Sequence, residues 1–301
     1  KVLSYYFLLK IRFFCEINKL FFIYFYMNYF KIIEKINCLK NYCKNFSIGK
    51  SLLGEDIVCF HLGSEKGKQI VVEGGIHARE YISTLFLLEE IDYLLNKKFD
   101  GGIYIIPLMN PDGVRLVLDG ASFIQDENLK KFLININGSE DFSLWKANAN
   151  AVDLNVNYDV FWGEGKQNVR KLASANFIGY YANSEIENIN FLNFIKKINF
   201  SGSLSFHSKG EVIYYGFKLR GERLKEEKQI VKVLSKLNGY MPIKTKNSTG
   251  GLSDYLSYYY KVPAFTIELG SDHLSHPITE KFLPSIFQKN KQIITTFLNL
   301  V

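Results

Sequence analysis

The chain has 301 residues, of which 47% are hydrophobic and 15% are aromatic, and its formal charge is +7. This composition suffices for one large core, and α/β domains of this length are commonly single. The first 50 residues hold nine Lys and Arg and two Glu, so they carry all of the net charge and the rest is neutral. A neutral region of 251 residues argues against a nucleic-acid partner, which would require a basic face.

The first 26 residues are apolar, but four charged residues interrupt them. No uninterrupted apolar run reaches the roughly 18–20 residues of a membrane span, and no small-residue cleavage site of the signal-peptide kind is present. An amphipathic helix follows Met27. We therefore interpret Met27 as the initiator, residues 1–26 as an upstream or disordered extension, and residues 27–301 as one domain. The protein is then expected to be cytoplasmic with no firm membrane partner; a membrane-associated or exporting leader is the alternative.

The four cysteines form no C-x-x-C motif and lie far from the motifs described below; they are Cys15, Cys38, Cys43 and Cys59. They are interpreted as reduced structural thiols of an intracellular protein. A Cys38–Cys43 disulfide is the alternative.

Strands and helices alternate along the rest of the chain. The predicted strands are 56–62, 69–73, 103–106, 201–206, 212–217 and 264–268. The predicted helices are 82–95, 185–198, 221–237 and 280–298, and 122–143 is interpreted as a surface excursion. No repeat or Pro/Ser-rich linker divides the chain. This alternation predicts an α/β fold with a mixed, mostly parallel sheet covered by helices.

The segment GGIHARE (74–80) lies at a predicted strand-to-helix junction. Its His77 and Glu80 are three residues apart and can face one metal ion. An imidazole and a carboxylate suit Zn²⁺, and a catalytic zinc takes three protein ligands and leaves one position for water. The pattern therefore predicts a third ligand downstream and a carboxylate that handles the proton of the water.

Two further strand ends supply candidates for those roles. His207 ends the alternating run 203–207, and Glu268 ends the apolar run 263–268. Sites in open α/β sheets gather at the carboxyl ends of strands. Glu268 has no adjacent Arg or Lys, so its burial is costly unless it meets a metal, a proton or a catalytic role.

Six blocks occur in order along the chain: GGIHARE (74–80), PLMNPDG (107–113), AVDLN (151–155), SFHS (205–208), TGGLSDY (249–255) and FTIELG (265–270). Together they resemble the zinc carboxypeptidase family of the carboxypeptidase A type, from about residue 45 to the C-terminus. The resemblance implies a three-layer α/β/α sandwich with about eight mixed strands. It also implies one Zn²⁺ per chain and a metallopeptidase that hydrolyses peptide bonds.

The resemblance assigns roles to five residues. It makes His77, Glu80 and His207 the zinc ligands and Glu268 the general base that passes a proton from water to the leaving amine. Asp153 resembles the carboxylate that orients the first ligand histidine and fixes its tautomer. Asp153 as the cap of a turn is the alternative.

The substrate-binding residues depart from the family pattern. Arg79 resembles an arginine that contacts substrate beyond the scissile bond; the alternative is a surface charge. The Asn-Arg pair that clamps a C-terminal carboxylate is Asn155-Val156 here, and the region 145–150 lacks the oxyanion arginine. Because Val cannot replace a bidentate Arg–carboxylate contact, recognition of an ordinary free C-terminus is not expected to be tight.

Other positions indicate a different substrate. The substrate-capping tyrosine is replaced by the run 246–249, and the position that sets side-chain preference is Ser253. The motif WKAN…VDLN (145–155) is similar to the corresponding motif of bacterial relatives that cut γ-D-glutamyl–diaminopimelate bonds in cell-wall peptides. The candidates for the missing positive charge are Lys146, Arg170, Lys209 and Lys246; for each of them the alternative is a solvated surface charge.

Three hypotheses follow from these patterns. The first is an active zinc peptidase whose partner is a peptide, with a cell-wall muropeptide as the favoured substrate. The second is a deacylase of N-acyl amino acids that uses the same zinc ligands. The third is a peptide-binding member of the same fold with impaired catalysis, which the missing arginines favour and the four intact site residues oppose.

Overall fold

The computed structural model describes residues 27–301, so Cys15 and the predicted extension 1–26 lie outside the described residues. Within the described part, eight strands form one sheet in the order β1-β2-β4-β3-β5-β8-β6-β7. The strands are β1 (Lys44–Lys50), β2 (Asp56–Gly63), β3 (Gln69–Gly74), β4 (Gly102–Ile106), β5 (Gly202–Ser208), β6 (Val212–Tyr215), β7 (Met241–Lys244) and β8 (Ala264–Leu269). The four pairings β3–β4, β3–β5, β5–β8 and β6–β7 are parallel, and the other three are antiparallel.

Helices cover both faces of the sheet. They are α1 (Tyr29–Leu39), α2 (Tyr81–Leu94), α3 (Pro111–Asp119), α4 (Glu127–Asn137), α5 (Ile186–Ile195), α6 (Gly221–Asn238), α7 (Leu252–Tyr255), α8 (Leu283–Asn290) and α9 (Ile293–Leu300). One core cluster joins α1, α2, α6, α8 and α9 to one sheet face, and a second joins α5 and α7 to the opposite face. This arrangement confirms the predicted three-layer α/β/α sandwich.

The six predicted strands are confirmed, but the sequence prediction missed the two strands at the sheet edges. β1 and β7 have no fully buried residue, so they lack the apolar alternation that marks a strand. The predicted helix 280–298 is a 3₁₀ turn followed by two short helices, α8 and α9. The predicted surface excursion 122–143 contains the amphipathic helix α4, which buries Leu133.

Side-chain alternation places five polar residues on one face of the three central strands. Val72, Phe206 and Ile267 belong to the core cluster beneath α2. The side chains that alternate with them point to the opposite face. Cross-strand register sets Glu73 opposite Ser205, Ser205 opposite Thr266, and His207 opposite Glu268. The sheet alone therefore brings these five residues together.

Two observations concern predictions made above. Among residues 27–301, no helix combines the length and apolar character that crossing a bilayer requires. Cys43 and Cys59 are free thiols in the structure, so the alternative Cys38–Cys43 disulfide is not formed there.

Glu90 on α2 is a buried acid without a hydrogen-bond or ion-pair partner among residues 27–301. Its side chain has no exposed surface, and neither carboxyl oxygen accepts a hydrogen bond from that part of the chain. Burial, aided by the negative charge of Glu89, raises the pKa of Glu90 to about 9. Since an unfolded glutamate ionises near pH 4.3, the native state loses stability as the pH rises from there towards 9.

We expect Glu90→Gln to increase the free energy of unfolding at pH 8 by about 1–3 kcal/mol, because an amide removes the cost of holding the acid protonated. The gain should disappear near pH 3, well below the ordinary glutamate pKa of about 4.3, where both states of the wild type are protonated. Urea unfolding at the two pH values measures it. Asp92→Asn is the matched control, because Asp92 is a partly exposed acid on the same helix and lies 3.7 Å from Lys35. Equal gains at both pH values would contradict this account.

Candidate active site

His77 and Glu80 come from one tight connection after β3. Gly75 turns the chain with a φ of +64°, and a Cβ there would lie 2.3 Å from Thr84 Oγ1, so the turn requires glycine. The 3₁₀ turn Ala78–Glu80 then leads into α2. This geometry brings His77 Nδ1 to 3.0 Å from Glu80 Oε1.

His207 reaches the same point from β5. Its Nδ1 lies 3.1 Å from His77 Nδ1 and 3.0 Å from Glu80 Oε2. The backbone N–H of Ser208 also donates to Glu80 Oε2 at 3.1 Å. The connection after β3 and the end of β5 thus deliver three side chains to one buried point.

These three residues fit a metal ion. Their ligand atoms all lie within 4.8 Å of one another, and all three residues are buried. Two imidazole nitrogens and a carboxylate are the donor set of a catalytic zinc site. Two imidazole nitrogens that face each other at 3.1 Å need a shared cation between them, and either a proton or a metal ion supplies it.

The second nitrogen of His77 contacts a buried ion pair. His77 Nε2 lies 3.1 Å from Asp153 Oδ1, and Lys146 Nζ lies 2.7 Å from Asp153 Oδ2. Burial acts to lower the pKa of His77, but the charges of Glu80 and Asp153 outweigh it and raise that pKa to about 9. Burial opposes ionisation of Asp153, yet Lys146 and His77 hold its pKa well below the usual range.

Lys146 was predicted to bind substrate, and the structure places its side chain between the cavity and the buried carboxylate of Asp153. It lines the cavity described below, but its Nζ contacts Asp153 and donates to Asn176 Oδ1 at 2.9 Å. The fully buried Asp153 carboxylate needs a cation, and Lys146 is the lysine that reaches it. Lys146 is thus mainly a partner of Asp153.

The second nitrogen of His207 contacts a hydroxyl. His207 Nε2 lies 3.0 Å from Ser205 Oγ and 3.4 Å from Asn155 Nδ2. Ser205 Oγ in turn donates to Glu73 Oε1. If Nδ1 binds a metal, Nε2 must carry the proton and donate to Ser205, whose own proton then points to Glu73. Glu73 and Ser205 therefore select the tautomer of His207.

Glu268 stands beside these residues on the wall of a cavity of about 500 Å³. Removal from bulk water, together with the negative charge of Glu80, raises the pKa of Glu268 to about 8. The side chain is only half-buried and opens on the cavity. The cavity is also lined by His77, His207, Asn155, Val156, Lys166, Tyr214, Lys246, Ser253, Asp254 and Thr266.

The NPDG block holds the loops of the site together. Asn110 Oδ1 accepts the N–H of Gly113 and so caps α3, while its Nδ2 donates to Ile76 O at 3.2 Å and Ala147 O at 3.1 Å. One amide thus ties the loop before His77 to the loop after Lys146. The block positions the site without facing the cavity.

The other predicted substrate contacts are distributed unevenly. Asn155 and Ser253 line the cavity, whereas Arg79 lies outside its lining and reaches towards Leu144 O at 3.5 Å. Of the remaining candidate cations, Lys246 lines the cavity, whereas Arg170 and Lys209 do not. Arg170 donates to Gly163 O, and Lys209 pairs with Asp272.

The chain matches the family model described as zinc carboxypeptidase over residues 32–296. The chain belongs to the zinc carboxypeptidase family. By that membership it is a metallopeptidase, a class of peptide-bond hydrolases. The predicted family and enzyme class are confirmed.

Individual relatives agree with this assignment. The chain is 33% identical to gamma-D-glutamyl-L-diamino acid endopeptidase 1 of Lysinibacillus sphaericus over 82% of its own length and 66% of that protein's, just under two thirds. Bovine thrombin-activatable fibrinolysis inhibitor shares the fold at 19% identity, with a TM-score of 0.72 over 91% of this chain and 97% of that one. The murein-tripeptide amidase MpaA of Escherichia coli O157 also shares the fold at 19% identity, with a TM-score of 0.55 over 81% of this chain and 90% of that one.

The sequence prediction missed Glu73, Lys166, Asp254 and Thr266 as residues of the site region. Glu73 and Thr266 join it through cross-strand register, which a single sequence does not reveal. Lys166 joins through a loop contact, because its N–H donates to Asn247 O at 3.0 Å. Asp254 could have been noticed as an acid next to Ser253.

We expect Ser205→Ala to weaken zinc binding about 10- to 100-fold, because His207 loses the acceptor that fixes its tautomer. Competition with a chromophoric chelator measures the dissociation constant. Ser203→Ala is the matched control: Ser203 is two residues earlier on β5, is buried, and its hydroxyl has no hydrogen-bond partner among the described residues. Equal zinc affinity in the two variants would show that Ser205 does not support the ligand.

Proposed function

We propose that the protein is a zinc-dependent peptidase that hydrolyses the bond between a γ-linked D-glutamate and a diamino acid in cell-wall peptides. The observation that carries this proposal is the buried set His77, Glu80 and His207 with Glu268 beside it on a cavity wall. The similarity to the Lysinibacillus endopeptidase supports the choice of bond.

The residues divide the chemistry among them. His77, Glu80 and His207 hold one Zn²⁺ per chain, and Asp153 orients His77. When bound, zinc supplies a Lewis acid that polarises the scissile carbonyl and lowers the pKa of a water molecule to about 7. The Glu268 carboxylate accepts the proton of the attacking water and delivers it to the leaving amine. Its position opposite His207 in the sheet supports this role.

The charge of the cavity supports an acidic substrate. Val156 lines the cavity at the position of the family's carboxylate-binding arginine, so it offers no charge there. Lys166 and Lys246 line the same cavity, and neither forms an ion pair with another described residue. A γ-linked glutamate keeps its α-carboxylate free beside the scissile bond, and these lysines supply the charge that would bind it.

Three further residues are assigned to substrate contact. Asn155 and Ser253 line the cavity, and the Asn155 side chain is held because its Oδ1 accepts the N–H of Leu252 at 2.9 Å. Arg79 follows His77 by two residues and is half-buried outside the cavity lining. We assign Arg79 to the outer part of a substrate that extends beyond the cavity.

The test is mass spectrometry of the products from two substrates incubated with the zinc-loaded protein. One is an ordinary peptide with a free C-terminus, and the other is L-Ala-γ-D-Glu-diaminopimelate. Cleavage of the second substrate alone is the expected result. Loss of single C-terminal residues from the first would instead indicate a conventional carboxypeptidase. Cleavage of neither would favour a peptide-binding member of the family.

We expect Glu268→Gln to lower turnover of the cleaved substrate by about 10²–10⁴-fold, because an amide cannot accept the proton of the water. The variant should retain about one zinc per chain, measured by atomic emission, since Glu268 is not among the three ligands. His207→Ala provides the contrast, because it should lose both zinc and activity. Unchanged turnover in Glu268→Gln would remove this residue from the mechanism.

A further inference from the structure

Asp254 is a second carboxylate in the cavity, apart from Glu268 and the three proposed metal ligands. It lies on α7, is 6% exposed, and lines the cavity next to Ser253. No Lys, Arg or His among residues 27–301 lies within ion-pair distance of it. Burial raises the pKa of Asp254 to about 8, since the backbone N–H of Gly251 and the more distant Lys218 offset only part of the cost.

A purely structural role does not account for this carboxylate. Asp254 is the third residue of α7, where an acidic side chain commonly accepts the N–H of the capping residue, here Gly251. That bond needs one acceptor oxygen and no charge. A buried carboxyl without a counter-charge destabilises the fold, and its location on the cavity wall makes it available to a ligand.

The cavity wall connects Asp254 to the reaction centre. Thr266 and Glu268 lie on the same face of β8, two residues apart, which is about 7 Å along a strand. Thr266 Oγ1 donates to Ser253 Oγ at 3.0 Å, and Asp254 follows Ser253 in the chain. A lysine-like side chain has a flexible four-carbon stem, which suits a path of this length.

We infer that Asp254 binds the side-chain ammonium of the diamino acid on the leaving-group side of the scissile bond. The inference rests on the proposed function and deepens it. Asp254 receives the amine inside the cavity, whereas Lys166 and Lys246 lie on its exposed loops and receive carboxylates. The cavity thus separates a negative inner wall from a positive rim, which matches a substrate that carries both kinds of charge.

The test compares Asp254→Asn with the wild type on two substrates, γ-D-glutamyl-L-lysine and γ-D-glutamyl-L-norleucine, which differ only in the terminal amine. Asparagine keeps an acceptor oxygen for the Gly251 N–H, so the helix cap is preserved. We expect kcat/KM for the lysine substrate to fall about 10- to 100-fold, the effect of losing a hydrogen bond to a charged group. The value for the norleucine substrate should change less than about twofold.

Asp159→Asn is the matched control. It removes the same charge from an exposed residue that lies outside the cavity lining, so it should leave both substrates unaffected. Equal rates of the wild type on the two substrates, or an equal loss on both in Asp254→Asn, would overturn the inference while the proposed function stands.

A second measurement tests the ammonium site independently of the proposed function. If the zinc-loaded protein cuts neither substrate, titration calorimetry with L-lysine and L-norleucine decides the matter. Tighter binding of lysine by the wild type, with the difference lost in Asp254→Asn, would support the ammonium site in a binding protein. Equal affinities for the two amino acids would overturn it.

Discussion

The convergence of His77 Nδ1, Glu80 and His207 Nδ1 in a buried volume is the interaction on which the rest of the site depends. Two imidazoles and a carboxylate that are removed from water, with their nitrogen and oxygen atoms 3.0–3.1 Å apart, require a shared cation. Without metal, protons supply that charge, as the raised pKa of His77 indicates. A metal ion would displace those protons, so binding of the ion is coupled to the charge of Glu80 and Asp153.

The sheet brings these side chains together through the register of its strands as well as through the positions where the strands end. Glu73, Ser205 and His207 share one face because β3 and β5 are parallel neighbours with Glu73 opposite Ser205. Glu268 faces the same side because it pairs with His207 across β5 and β8. A shift of one residue in either pairing would turn these side chains into the apolar core, so the apolar residues between them stabilise the geometry of the site.

The sequence predicted those parts of the site that depend on residues close together in the chain. His77 and Glu80 lie in one short segment, His207 and Glu268 end apolar strands, and the central strands have the apolar pattern of buried strands. β1 and β7 could not be predicted because edge strands are solvated, and the sequence run 280–298 does not reveal where the helix breaks. The Lys146–Asp153 pair and the Glu73–Ser205 contact arise from loop packing and register, which a single chain does not encode in any short pattern.

The replacement of an arginine by Val156 changes the kind of recognition that the cavity can achieve. A guanidinium fixes a carboxylate in one bidentate geometry, whereas a lysine is a point charge on a flexible stem. Gly250 packs against the Val156 carbonyl, where a Cβ would lie 2.6 Å away, so the backbone around this position is closely fitted even without the arginine. The exposed Lys166 and Lys246 can follow a carboxylate to several positions along the rim. Under the proposed function, such a cavity would accept a substrate whose carboxylate is not at a chain end, as in a γ-linked peptide.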